Sequence, residues 1–154
     1  MEPLSALGVA SSVVQFVDFA TKVVSQTVRI YRTAQSKHEH GDSLMLLTTQ
    51  LEKYNRNMIK SLEAPHGSSG LSPEDEEILK ICAECTKISS KLLTALNALE
   101  SSNVTIWNSF VAALKTTWKE SEIQELRYTL DGYRQQISLY LLAAIRYGLP
   151  LLLR

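Results

Sequence analysis

The fold is decided by one stretch of the sequence, residues 3–33, which reads PLSALGVASSVVQFVDFATKVVSQTVRIYRT. Its apolar residues recur every three or four positions along two adjacent stripes, which is the spacing of a helix with a wide buried surface. Pro3 suits the first turn of a helix, where a backbone N–H has no intrahelical partner. A narrow polar strip remains, and it consists of Ser11, Gln15, Asp18, Lys22, Gln26, Arg29 and Arg32. We therefore expect a long, highly apolar N-terminal helix.

The first four turns of this helix carry no formal charge, because no ionisable residue occurs between Pro3 and Val17. This segment is shorter than the roughly 20 apolar residues that cross a bilayer as a helix. Two explanations account for so little charge. Either the helix lies at the centre of a bundle, or it must tolerate lipid after it is released. Both can hold in different states of the domain.

Two amphipathic patterns follow the first helix, and each begins with helix-start signals. The second predicted helix begins after a polar cap, Asp42 or Ser43. The third begins with Ser72 as its cap and Pro73 in its first turn, and acidic residues follow that complement the helix dipole. Between these helices, residues 64–71 are rich in glycine and serine, so we expect a flexible loop there.

Two more helices are predicted in the C-terminal third of the chain. The shorter of them carries an apolar stripe of Trp107, Phe110, Leu114 and Trp118. The last one begins at a capping box that runs from Ser121 to Gln124, and it stops at Gly148 and Pro150. No strand pattern competes anywhere. The sequence therefore predicts an all-α fold, in which residues 1–154 form one bundle of about five helices.

The composition is that of a globular protein without an affinity for nucleic acid. Hydrophobic residues make up 45% of the chain, and sixteen basic residues balance sixteen acidic ones, so the formal net charge is zero. A nucleic-acid-binding domain normally shows a basic excess or a basic stripe, and the sequence contains neither. We therefore expect no nucleic-acid partner.

Cys82 and Cys85 form a CxxC motif, which elsewhere serves redox chemistry or supplies half of a zinc site. Here the pair lies about two turns inside the third predicted helix, and the three histidines, His38, His40 and His66, lie in predicted loops. Cys85 also falls on the apolar stripe of its helix. We therefore expect the thiols to pack in the core as small apolar groups, with no metal bound.

No other motif points to catalysis. The sequence contains no phosphate-binding or dinucleotide-binding glycine motif, no nucleophile elbow and no zinc-protease motif. Trp107, Phe110 and Trp118 are a possible ligand groove or interfacial anchor, although packing of a short helix explains them more simply. We therefore expect no enzyme and no cofactor. Two classes remain open: a docking module for a helical partner, and a membrane module whose first helix leaves the bundle.

Residues 1–19, MEPLSALGVASSVVQFVDF, resemble the opening of a fungal protein family. The family comprises the N-terminal domains of fungal STAND proteins (NOD-like receptors), including the HeLo-like domains of the HeLo superfamily. Its closing helices are similar to a later part of this sequence, namely residues 114–119 (LKTTWK) with Glu122, Ile123, Leu126, Leu130, Arg134, Leu139, Tyr140 and Leu141. The resemblance thus reaches both ends of the chain.

This resemblance implies an effector of regulated cell death in fungal innate immunity and heterokaryon incompatibility. Such domains precede a nucleotide-binding module or an amyloid signalling module, so the chain is expected to be the N-terminal part of a longer receptor or effector. Activation is expected to produce a homo-oligomer that moves from the cytoplasm to the plasma membrane and forms pores in its lipids. The membrane-inserting residues would be Leu4, Leu7, Val9, Val13, Val14, Phe16 and Val17. The alternative is a helical adaptor that docks another protein and never touches lipid.

Overall fold

Four α-helices make up the part of the chain that the computed structural model describes, which is residues 3–33, 44–63, 72–97 and 118–152. They are α1 (Pro3–Thr33), α2 (Leu44–Glu63), α3 (Pro73–Asn97) and α4 (Glu120–Leu152). No strand occurs within these residues, so the prediction of an all-α bundle is confirmed for them. The bounds of α1 are those predicted from the sequence.

The prediction of about five helices is one too high for the described residues. The short helix expected around Trp107 falls on residues 98–117, which lie outside the described part. Trp118, the last residue of its predicted stripe, precedes α4 and is not helical. The loop expected at residues 64–71 also lies outside the described part of the chain.

The helices run alternately up and down. Ser12, near the start of α1, meets Ser61, near the end of α2, and their Oγ atoms are 3.3 Å apart. Asp75, at the start of α3, accepts a hydrogen bond of 2.9 Å from the hydroxyl of Tyr140 in the second half of α4. Helix α1 packs against each of the other three helices, whereas α3 and α4 touch only slightly. This arrangement places α1 at the centre.

Helix α1 supplies the largest share of the core among the described residues. Its buried side chains are Val9, Ala10, Val13, Phe16, Val17, Ala20, Val23 and Val24. On its other side Ser11, Gln15, Asp18 and Lys22 are exposed, as the polar strip predicts. The interpretation of α1 as the central helix is therefore confirmed, while the side chains of residues 26–33 lie outside the described part.

The starts of α3 and α4 show how local sequence sets a helix boundary. As predicted, Ser72 caps α3, because its Oγ accepts a hydrogen bond of 3.1 Å from the N–H of Asp75. The capping box predicted at Ser121 is wrong by two residues. The carboxylate of Glu122 accepts a 3.1 Å hydrogen bond from the N–H of Lys119, so α4 begins earlier. An ionised carboxylate is a stronger acceptor than the amide of glutamine, which favours this register.

Helix α4 also continues past the stop predicted at Gly148 and Pro150, and it ends at Leu152. A proline inside a helix removes one backbone hydrogen bond, here the one to the carbonyl of Arg146. That loss adds a single carbonyl to the four that every helix end leaves without an intrahelical partner. So close to the end of the helix, these residues weaken α4 without terminating it.

The core contains polar atoms that lack partners within the described residues. Ser89 on α3 is fully buried, and its Oγ has no hydrogen-bond partner there. The same holds for the buried Oγ1 of Thr21 on α1. A buried hydroxyl without a partner costs roughly 1–3 kcal/mol of stability. These hydroxyls therefore make the packing of α1 in the bundle less stable than packing in a wholly apolar core would be.

We expect the change Ser89→Ala to raise the free energy of unfolding by about 1 kcal/mol, because it removes an unsatisfied buried hydroxyl. Urea denaturation followed by circular dichroism measures this change. The matched control is Ser90→Ala, one position along the same helix but exposed, which alters helix propensity alone. If the two substitutions have equal effects, or if Ser89→Ala lowers the stability, then the hydroxyl of Ser89 is not a buried group without a partner.

Candidate functional site

The candidate site is the first two-thirds of α1. Among the described residues one helical segment, Leu7–Ser25, is long and apolar enough to cross a membrane by length and composition, and 44% of it is buried within the bundle. The core helix of a water-soluble protein passes the same test. Length and composition therefore do not distinguish a core helix from a membrane-inserting helix, and the residues on the inner and outer sides of α1 must be considered.

The structure places the predicted insertion residues on the inner side of α1. Four of them are buried and two are half-buried: Val9, Val13, Phe16 and Val17 belong to the first group, and Leu7 and Val14 to the second. The side chain of Leu4 lies outside the described part. The apolar surface predicted to meet lipid is thus the surface that forms the core in this state. The bundle must rearrange before a membrane can reach it.

The outer side of α1 is a line of small and polar residues, Gly8, Ser11, Gln15, Asp18 and Lys22, all of them exposed. The polar strip predicted from the sequence is thus exposed as far as Lys22, and Gly8 extends it towards the start of the helix. Gly8 was not part of the prediction, although its position three residues before Ser11 already placed it there. A Cβ atom added at Gly8 would meet nothing within 4 Å in the described part of the chain, so those residues leave this end of the strip open.

Two polar contacts tie the outer part of α1 to neighbouring helices. Asp18 accepts a hydrogen bond of 2.7 Å from Nη2 of Arg134 on α4. Because about half of each side chain is exposed, this ion pair contributes at most about 1 kcal/mol. Ser12 donates to the carbonyl of Gly8 at 3.1 Å and lies beside Ser61 of α2. Helical spacing within α1 cannot reveal either cross-helix pair, so neither pair could be predicted from the sequence.

The CxxC motif on α3 is buried. Cys82 and Cys85 are free thiols in the core, and Cys82 donates a weak hydrogen bond of 3.7 Å to the carbonyl of Met58. Burial raises the pKa of each thiol to about 12, and for Cys85 the charges of Cys82 and Glu84 add to the effect. The thiolate is the reactive and metal-binding form, so both groups stay inert at neutral pH. The prediction that Cys85 packs in the core is confirmed.

The remaining candidate sites offer little enclosure. An open depression of about 440 Å³ on the surface of α2 and α3 is lined by Glu52, Asn55, Arg56, Ile59, Lys60, Glu63 and Leu93. A small-molecule site normally buries most of its ligand, which an open depression does not. Trp107, Phe110 and the three histidines lie outside the described part, and Trp118 packs half-buried against the core. Among the described residues there is no group of three metal-binding side chains.

Comparisons of the chain with protein-family models, curated proteins and solved structures found no match. The resemblance of residues 1–19 to the HeLo-like domains therefore stays a proposal.

We expect the change Cys85→Ala to lower the free energy of unfolding by about 1–2 kcal/mol, because it leaves a small void in the core. Urea denaturation measures the loss, and elemental analysis measures bound metal before and after the change. Unchanged metal content is the expected result. Stoichiometric zinc in the native protein that disappears in the variant would show that the thiols are ligands rather than core groups.

Proposed function

We propose that this domain is a HeLo-like effector of regulated cell death, which oligomerises and inserts α1 into the plasma membrane. The observation that carries the proposal is the construction of α1, in which a segment of bilayer length confines its charged and its exposed polar residues to one strip. The domain rests in the cytoplasm. A nucleotide-binding or amyloid signalling module, in the same chain or in a partner chain, clusters it during fungal innate immunity or heterokaryon incompatibility.

Helix α1 cannot leave the bundle for water. It buries five valines and Phe16, and each such side chain contributes roughly 1.5–3 kcal/mol on burial. Together they contribute roughly 9–18 kcal/mol, which matches or exceeds the roughly 5–15 kcal/mol that stabilises a whole domain. Lipid changes this balance, because the hydrocarbon solvates the same apolar side chains. Insertion is therefore an exchange of one apolar environment for another.

The polar strip explains why insertion needs several copies. At the centre of a bilayer a charged residue such as Asp18 or Lys22 costs roughly 2.5–3.5 kcal/mol. A single inserted helix exposes both residues to lipid. In a ring of copies, however, the strips face a shared water-filled path, so Asp18 and Lys22 stay in contact with water. The proposed domain is thus inactive when dilute and permeabilises membranes when clustered.

A helical adaptor without membrane activity is the second candidate function. It is favoured by the burial of Val9, Val13, Phe16 and Val17, since packing at the centre of a bundle accounts for their apolar character without any lipid. The two candidates differ in one physical requirement. The effector must release α1 from the bundle, whereas the adaptor keeps α1 in place.

A reversible clamp on α1 tests this requirement. The Oγ atoms of Ser12 and Ser61 are 3.3 Å apart, so the double variant Ser12→Cys/Ser61→Cys can form a disulfide between α1 and α2 after a small adjustment. We expect the clustered, oxidised variant not to release dye from vesicles of anionic phospholipid. Reduction should restore the release, because it frees α1. Mass spectrometry checks the state of the disulfide.

Matched controls separate the clamp from other effects of the substitutions and reagents. Each single cysteine variant reports on its side chain alone, and the native protein reports on the oxidant, since its own thiols are buried. If the oxidised double variant leaks vesicles as well as the reduced form, α1 does not insert. If the clustered native domain never binds vesicles, the adaptor function replaces the effector.

A further inference from the structure

Helix α4 carries an apolar patch on the side that faces away from the bundle. Leu139, Leu142 and Ile145 are 68%, 63% and 54% exposed, and Tyr128, at 72%, lies about three turns earlier on the same side, beyond the exposed polar residues Gln135 and Ser138. A single exposed leucine needs no explanation. Three large apolar side chains within two turns form a continuous surface, and such surfaces usually have a partner. We call these four residues the outer patch.

The outer patch has no part in the core or in the proposed insertion of α1. The inner side of α4 is complete without it, because Ile123, Leu130 and Ile137 are fully buried there against the rest of the bundle. Helix α4 is thus apolar on two opposite sides. A helix with that pattern can bind a second partner through its exposed apolar side.

We propose that the outer patch binds the outer patch of a second copy of this chain, with the two α4 helices antiparallel. Charge favours this occupant. Asp131 precedes Leu139 by about two turns and Arg146 follows Leu142 by about one turn, both towards the outward side of α4. No ion pair joins either of them to another described residue.

An antiparallel pair brings the unlike charges together. When the contact is centred near Leu139, Asp131 of each copy lies opposite Arg146 of the other copy, and the leucines meet between them. A parallel pair would instead place like charges side by side, which is destabilising. The surface is therefore complementary to itself under a twofold axis, as an isologous interface requires.

Gly132 is an independent observation on the same side of α4. A Cβ atom added there would meet nothing within 4 Å in the described part of the chain, so no contact with those residues requires a glycine. Glycine in the middle of a helix is destabilising, so within one copy it brings only a loss. Next to a second helix, the missing side chain allows the two backbones to approach closely.

The patch is small, which makes the contact weak. From Tyr128 to Ile145 the helix rises roughly 26 Å, and one helix face of that length covers several hundred Å², less than the roughly 800 Å² per partner of a stable interface. The domain is therefore monomeric when dilute and pairs when a clustering module raises its local concentration. This role in clustering rests on the proposed function, whereas the pairing itself is independent of any membrane.

Analytical ultracentrifugation over a range of protein concentrations, without lipid, tests the pairing. We expect reversible dimers of the native domain and a loss of about tenfold or more in affinity for Leu139→Glu/Leu142→Glu, because the change places charge in the contact. The matched control is Ile59→Glu, an exposed isoleucine on α2 that also becomes acidic, and it should pair like the native domain. Circular dichroism confirms that each variant folds.

A charge exchange tests the antiparallel arrangement. Asp131→Arg and Arg146→Asp should each weaken pairing, because each opposes like charges, and the double variant Asp131→Arg/Arg146→Asp should restore it. Failure of the double variant to recover overturns the antiparallel contact.

Other occupants of the outer patch give different results, and each of them overturns the proposal. A monomer at all concentrations whose vesicle binding is lost with Leu139→Glu/Leu142→Glu indicates a lipid surface. A monomer whose fold is destabilised by that change indicates a patch covered by the domain's own residues 98–117. The Ser12→Cys/Ser61→Cys clamp does not involve the patch. Normal pairing with a leaking clamp therefore contradicts only the insertion of α1, and lost pairing with an effective clamp contradicts only the α4 contact.

Discussion

The burial of the apolar side of α1 is the constraint on which the rest of the bundle depends. Helix α1 touches each of the other helices, while α3 and α4 have little contact with one another. Helix α4 therefore holds its place mainly through α1, and the inner side of α4 would lose its cover if α1 moved. Release of α1 is for this reason a change of the whole domain rather than the opening of one contact. A domain built in this way has few stable intermediates.

The same constraint makes the apolar side of α1 available to only one environment at a time. Phe16 and the valines around it pack in the core or, in the proposed active state, against lipid. The hydroxyls of Thr21 and Ser89, which have no partner among the described residues, lower the stability of the packed state, and the exposed Asp18–Arg134 pair adds little to it. The packed state and the proposed inserted state are thereby brought closer in free energy than a fully satisfied core would allow. Under the proposed function, clustering needs to supply only the remaining difference.

The two outer surfaces differ in what they contribute to a monomer. The polar strip of α1 suits a helix that faces water, so it fits the resting bundle as well as a shared aqueous path. The outer patch of α4 is apolar although it is exposed in the monomer, and Gly132 beside it weakens the helix without a compensating contact among the described residues. Exposed apolar side chains and a helix-weakening glycine do not help the fold itself, so they are the features that say most about a partner.

Local spacing in the sequence was sufficient to predict the four described helices, the bounds of α1 and its polar strip as far as Lys22, the Ser72 cap and the core position of Cys85, because each depends on residues within a few turns. It was insufficient at the start of α4. There two capping boxes compete, the predicted one that begins at Ser121 and the observed one in which Glu122 accepts the hydrogen bond. Spacing also placed Leu141 on the apolar stripe that continues from Ile137, and Leu141 packs half-buried against the core, whereas Leu139 and Leu142 are exposed. How much of each side chain is covered was decided by the tertiary structure. The contact between Ser12 and Ser61 joins residues 49 positions apart, and such a distance in sequence is closed only when the whole bundle packs.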